Sequence, residues 1–313
     1  MRIMPLLLIF VLLVTAAATG LAEQEEQITI TGTFSGEATI LPEFGSRVSL
    51  NLSFGYADFS LTSITDLRII PGISGTQSFR LEYQHDLFTL GTRLNLALIP
   101  PAFQSLHAYA KACIFSVTLA DEAFSLDANL RVDTTVLPAF SGTSTLTMIA
   151  VTGPLTARSI TRIGLPPAAV EIQLQRFTGE WDFLETTLGE GDGAPTLTGD
   201  LGATYTIIPA PFAGNLWFRL SLAQGGITAT SRTELELAPA FMESVTQRIT
   251  IRYTLEGVTL ISTTNFAILP AAGFTSQRVR AEIRWENLVL HAQATFAPAA
   301  DPTVLIGFRY SFP

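Results

Sequence analysis

Apolar and polar residues alternate with a period of two along nearly the whole chain, and no stretch beyond the first 22 residues sustains a helical period. In SRVSLNLSFGY (46–56), Val48, Leu50, Leu52, Phe54 and Tyr56 share one face, opposite Arg47, Ser49, Asn51, Ser53 and Gly55. Residues 124–136 repeat the pattern, with Phe124, Leu126, Ala128, Leu130 and Val132 against Ser125, Asp127, Asn129, Arg131 and Asp133. Val279, Ala281, Ile283 and Trp285 likewise oppose Arg278, Arg280, Glu282 and Arg284, and at the end of the chain Val304, Ile306, Phe308, Tyr310 and Phe312 oppose Leu305, Gly307, Arg309 and Ser311. These patterns predict two-faced strands. Most run about 10–12 residues, whereas soluble strands usually run about 5–6 and a strand crossing a bilayer at a tilt needs about 9–11.

An aliphatic-Pro-Phe phrase punctuates the strands. It appears as ILPEF (40–44), LIPPAF (98–103), VLPAF (136–140), IIPAPF (207–212), LAPAF (237–241) and ILPAAGF (268–274). Looser forms stand at 69–73, 164–168 and 296–301. Short polar turns such as YADF, QHDL, LEGV and WENL fall between them. One hairpin fills each interval, and proline suits its turns because it lacks the N–H that a ladder requires. One strand before Pro42, two in each of eight intervals and one after Pro298 predict about 18 strands. The long interval from Pro166 to Pro209 could hold three, with GEGDGAP (189–195) as a loop, so the range is about 16–20.

The first 22 residues read as a signal peptide: Arg2, then PLLLIFVLLV, then TAAATGLA with small residues before a cleavage site ahead of Glu23. The apolar run is shorter than the roughly 20 residues of a spanning helix. Residues 23–313 then form a single β domain, exported without an internal disulfide because Cys113 is the sole cysteine. The formal net charge is −9, and no basic patch suggests nucleic acid as a partner.

A β-sandwich, a β-solenoid and a closed transmembrane barrel all satisfy the alternation. Strand length, missing disulfides, positive mean hydropathy and aromatic residues at strand ends fit the barrel best. On those features, and on the last strand, the chain resembles the bacterial outer-membrane β-barrel class, specifically its porin-like members. The resemblance implies an all-β, antiparallel up-and-down barrel. It also implies that Val304, Ile306, Phe308, Tyr310 and Phe312 form the signal read by the barrel-assembly machinery, although Pro313 follows the final aromatic where the class usually stops. With both termini in the periplasm, as in that class, the proline turns face outward.

If the apolar face meets lipid, phase assigns Arg80, Glu82, Arg93, Arg131, Asp133, Arg219, Arg248, Arg252, Arg280, Glu282 and Arg284 to the lumen, together with Glu256. Such a wall implies passive diffusion of small polar solutes or ions with no cofactor and no chemistry. The alternative is a non-enzymatic structural or adhesive β-repeat protein, secreted or at the surface. His85, His107 and His291 lack the context of a catalytic base, and the acidic loop lacks calcium-ligand spacing. Residues 105–120 break the phase: His107, Tyr109, Phe115, Val117 and Leu119 share a face with Lys111 and Cys113, which requires either a bulge or a lysine near an interface. No segment is long enough to fold inward as a constriction loop; the longest candidate is 186–196.

Overall fold

The computed structural model describes residues 28–312 except 120–123, 166–169, 192, 210–211, 239–242 and 299. The signal-peptide segment lies outside the described residues. The strands are β1 (Thr29–Leu41), β2 (Gly45–Tyr56), β3 (Phe59–Ile70), β4 (Ser74–His85), β5 (Phe88–Ile99), β6 (Pro101–Leu119), β7 (Phe124–Leu137), β8 (Ser141–Thr152) and β9 (Leu155–Leu165). The second half continues with β10 (Ile172–Thr187), β11 (Thr196–Ile208), β12 (Ala213–Gln224), β13 (Ile227–Ala238), β14 (Val245–Leu255), β15 (Val258–Leu269), β16 (Gly273–Trp285), β17 (Leu288–Ala297) and β18 (Ala300–Phe312). Each strand is antiparallel to its neighbours in sequence, and β1 pairs with both β2 and β18, so the 18-stranded sheet closes into a barrel. Closure leaves no sheet edge open to other chains.

The proline phrases supply the turns at one end, and both termini lie at the other. The turns at Pro166 and Pro239 fall outside the described residues. The interval between Pro166 and Pro209 holds two strands rather than three, because β10 extends over 16 residues and 188–195 connects it to β11. No interstrand connection exceeds those eight residues.

Register shows how steeply the strands tilt. Direct cross-strand partners run Thr31, Ser53, Thr62, Arg80, Arg93, His107, Thr135, Ser141, from near the terminal rim of β1 to the proline rim of β8. Seven interstrand steps of about 4.8 Å therefore match a climb of ten residues at about 3.3 Å each, a tilt of about 45°. A 12-residue strand such as β2 then rises about 28 Å, close to the hydrocarbon thickness of a bilayer.

Almost nothing apolar is buried within the chain. Among the described residues the buried hydrophobics are Ala128, Trp217 and Val245, while large side chains such as Ile251, Trp285, Leu290 and Ile306 are exposed. The ladder is adjusted locally by glycine. Gly32 and Gly36 of β1 lie directly opposite Phe312 and Phe308 of β18, whose rings occupy the space a Cβ would need. This Gly–aromatic interlock forms the seam where the two ends of the chain meet.

Two sequence assignments are settled by register. A bulge between Cys113 and Phe115 shifts β6 by one residue, so His107, Tyr109, Lys111 and Cys113 share the face of Arg131 and Asp133, while Phe115, Val117 and Leu119 rejoin the apolar face. Lys111 is thereby kept off the apolar face. Glu256, assigned by phase to the wall, instead lies in the β14–β15 turn with φ of 43°, because that strand ends one residue earlier.

Candidate functional site

In an antiparallel ladder, residues directly opposite each other share a face, so register fixes the face of every strand residue. Among the described residues, all charged side chains within strands fall on one face of the sheet. All 18 basic residues of the protein except Arg2 are on it. Thirteen acidic residues accompany the 17 basic ones there, and the other acids described sit in turns or beside strand ends. The wall is thus net positive by four although the chain is net negative by nine.

Of the positions that phase selected, all but Glu256 lie on this polar face, and the structure joins six of them into two clusters. On β4–β7, Arg80 Nη2 is 2.7 Å from Glu82 Oε1, and Arg131 Nη2 is 2.6 Å from Asp133 Oδ1. Tyr109 stands between the arginines: Arg80 Nε donates to its hydroxyl at 3.1 Å, the hydroxyl donates to Glu82, and Arg131 lies over the ring with its Cζ 4.8 Å from the centroid. Arg93 donates to Ser78 and Asn95 beside them. A cavity of about 580 Å³ opens on this cluster, lined also by His107 and Thr135.

The second cluster occupies β11–β13. Arg219 Nε donates to Asp200 Oδ2 at 2.8 Å, and Arg232 Nε is 2.7 Å from Glu234 Oε1. Between them is Trp217, 7% exposed, with the Cζ atoms of Arg232 and Arg219 at 4.6 and 5.8 Å from its ring. Both aromatics are seated in the same way: Tyr109 lies directly opposite Gly91 and Trp217 opposite Gly202, and a Cβ on either glycine would enter the ring. A third arrangement is reversed in strand order. His291 of β17 covers Gly307 of β18, with Arg280 and Glu282 of β16 paired at 2.6 Å beside it.

Arg248 donates to Asn265 and faces Arg232 directly, whereas Arg252 and Arg284 make no ion pair among the described residues. Phase alone missed Arg158, Arg162, Arg176, Glu180, Asp200 and Arg232, whose strands mix polar residues on both faces or contain bulges.

No family model matches the chain, and no curated protein does. Solved structures do match in shape. OccK2 (OpdF) of Pseudomonas aeruginosa aligns with a TM-score of 0.60 and 8% identity over 92% of this chain and 98% of that one. OccK8 (OprE) of the same organism gives 0.58 and 7% over 92% and 98%, and OccAB3 of Acinetobacter baumannii 0.56 and 8% over 92% and 99%.

The chain has the porin fold.

Within the barrel the three histidines stay apart. His85 ends β4 and stacks on Phe88, His107 contacts Ser105 and Thr135, and His291 lies 3.6 Å from Glu37. No group of three or more potential metal ligands forms among the described residues.

Proposed function

We propose that the protein is an outer-membrane channel through which small polar solutes or ions diffuse passively, and that the polar face of the barrel lines a water-filled lumen. The observation that carries this reading is the segregation of faces around a closed wall. An apolar exterior about 28 Å tall needs a bilayer to bury it, since the described residues form no second layer to do so. The cavity supports the assignment of the polar side: polar-face side chains of five successive strands, from Arg80 of β4 to Thr143 of β8, line it, and they converge on the concave side of a closed sheet. Barrels of about this strand number leave room for an aqueous channel. The connections between strands are short, and among the described residues no segment folds across the lumen, so wall side chains set its bore. One structure of the same fold, OccK2 of P. aeruginosa, is a complex with glucuronate, a small polar solute.

The reading includes export by the leader and insertion from the periplasm by the assembly machinery, with Val304 to Phe312 as the recognised strand and the proline turns facing outward. It excludes a catalytic role. Liposomes reconstituted with the folded protein are expected to swell when small sugars are supplied outside and to remain unswollen with a large dextran. Folded barrels, verified by a change in gel mobility on heating, that leave liposomes impermeable to every solute would overturn the channel and favour a structural barrel.

A further inference from the structure

The charges on the polar face are arranged in layers. Counted from the proline end of each strand, the polar-face residue six or seven positions in is arginine in eight of the 18 strands, histidine in two, and never Asp or Glu. The next polar-face layer toward the proline rim has Glu37, Asp66, Asp133 and Glu234 with two arginines, and the next toward the termini has Glu82, Glu180, Asp200 and Glu282 with one. A belt of guanidinium groups at half height therefore lies between two predominantly acidic layers.

The belt is held against local electrostatics. Arg80 faces Arg93 directly, and Arg219 faces Arg232, in positions where like charges destabilise a ladder. Five of the eight arginines are relieved by the acidic layers through the pairs Arg80–Glu82, Arg131–Asp133, Arg219–Asp200, Arg232–Glu234 and Arg280–Glu282. Arg93, Arg158 and Arg252 have no carboxylate partner within ion-pair distance among the described residues. They stand on β5, β9 and β14, so all three lie in the half of the wall that runs from β5 to β14.

The screening length at physiological salt is about 8 Å, several times the 2.6–2.8 Å separation inside each pair. Seen from mid-channel the five pairs are therefore nearly neutral, and the three lone arginines remain as whole charges. We propose that the channel selects for anions over cations, and that Arg93, Arg158 and Arg252 are the residues that set this preference. The inference rests on the channel reading and adds to it the class of solute admitted: small anions, organic or inorganic.

The test is the zero-current potential of the full protein in a planar bilayer across a potassium chloride gradient. Wild type is expected to show a potential of the sign set by chloride. The triple variant Arg93→Gln/Arg158→Gln/Arg252→Gln is expected to move it to zero or to the potassium side. Glu82→Gln frees Arg80 from its partner and is expected to move it further toward chloride; this opposite shift keeps the test decisive if the triple variant fails to fold. A conducting wild type without chloride preference, or a folded triple variant with unchanged potential, overturns the inference while leaving the channel intact. Folded protein that passes no current at all overturns the channel reading and the inference with it.

Discussion

The walls at β4–β7 and β11–β13 solve one problem with different aromatics. Each places glycine, an aromatic ring and an Arg-x-acid strand side by side: Gly91, Tyr109 and Arg131–Asp133 in the first, Gly202, Trp217 and Arg232–Glu234 in the second. The phenol of Tyr109 has a hydroxyl, so the first wall is knit by hydrogen bonds that pass through the ring's oxygen from Arg80 to Glu82. The indole of Trp217 is larger and is enclosed instead, with Asp200 beside it only 10% exposed at its side chain. One wall is held by polar bonds open to water, the other by a buried ring under two guanidinium planes. Removing contact area should therefore hurt the second wall more, and removing a single oxygen should matter only in the first.

The largest expected effect is that of Trp217→Ala. Loss of a buried aromatic costs about 3–5 kcal/mol, whereas Tyr109→Ala, from a half-buried position, should cost about 1–3 kcal/mol. Urea unfolding in detergent micelles, followed by tryptophan-independent circular dichroism, measures both; equal losses would erase the distinction between the walls. A smaller difference should separate Gly202→Ala from Gly91→Ala. The new methyl at 202 meets the Trp217 ring and also the Gly179 carbonyl oxygen at 2.8 Å, a backbone atom that cannot swing away. Overpacking of that kind costs about 1–3 kcal/mol. At 91 the obstacles are outer atoms of the Tyr109 side chain, which can move toward the water. Gly202→Ala should thus lower the yield of folded barrel more than Gly91→Ala, read from the heat-sensitive gel band. Smallest is Tyr109→Phe, which keeps the ring on Gly91 and deletes the bridge between Arg80 and Glu82. A loss of about 0.5–1.5 kcal/mol in the same urea series is expected.

The sequence made the barrel legible because its signals are local. A strand of β2, with apolar residues at every second position, declares its length and faces without reference to any partner, and the proline phrases count the hairpins. The wall was harder to read. Arg131 and Asp133 stand in a clean alternation, so phase alone places them beside each other on one face. Arg232 lies in TATSRTELEL, where threonine and serine occupy both faces and give no contrast, and Asp200 lies in a strand rich in glycine and threonine. The β6 bulge is invisible to an alternation argument except as a broken phase, since one extra residue exchanges the faces for the rest of the strand. The belt of arginines could not be read at all before register was known. It depends on aligning 18 strands at one height, while in the chain the steps from Arg80 to Arg93, Arg131, Arg158 and Arg219 are irregular, at 13, 38, 27 and 61 residues.

Cys113 provides the most direct measurement of whether the polar face borders water. It is exposed, it is the only cysteine, and register puts it opposite Asn129 on the polar face next to Lys111. A charged, membrane-impermeant methanethiosulfonate reagent, added to single channels of the unmodified protein in a planar bilayer, should react with Cys113 and change the current in one irreversible step. The same reagent should leave the current of Cys113→Ser unaffected. If the folded wild-type barrel conducts and the thiol stays unmodified by mass spectrometry under the same exposure, the polar face does not line the conducting path, and the central account of this wall is wrong.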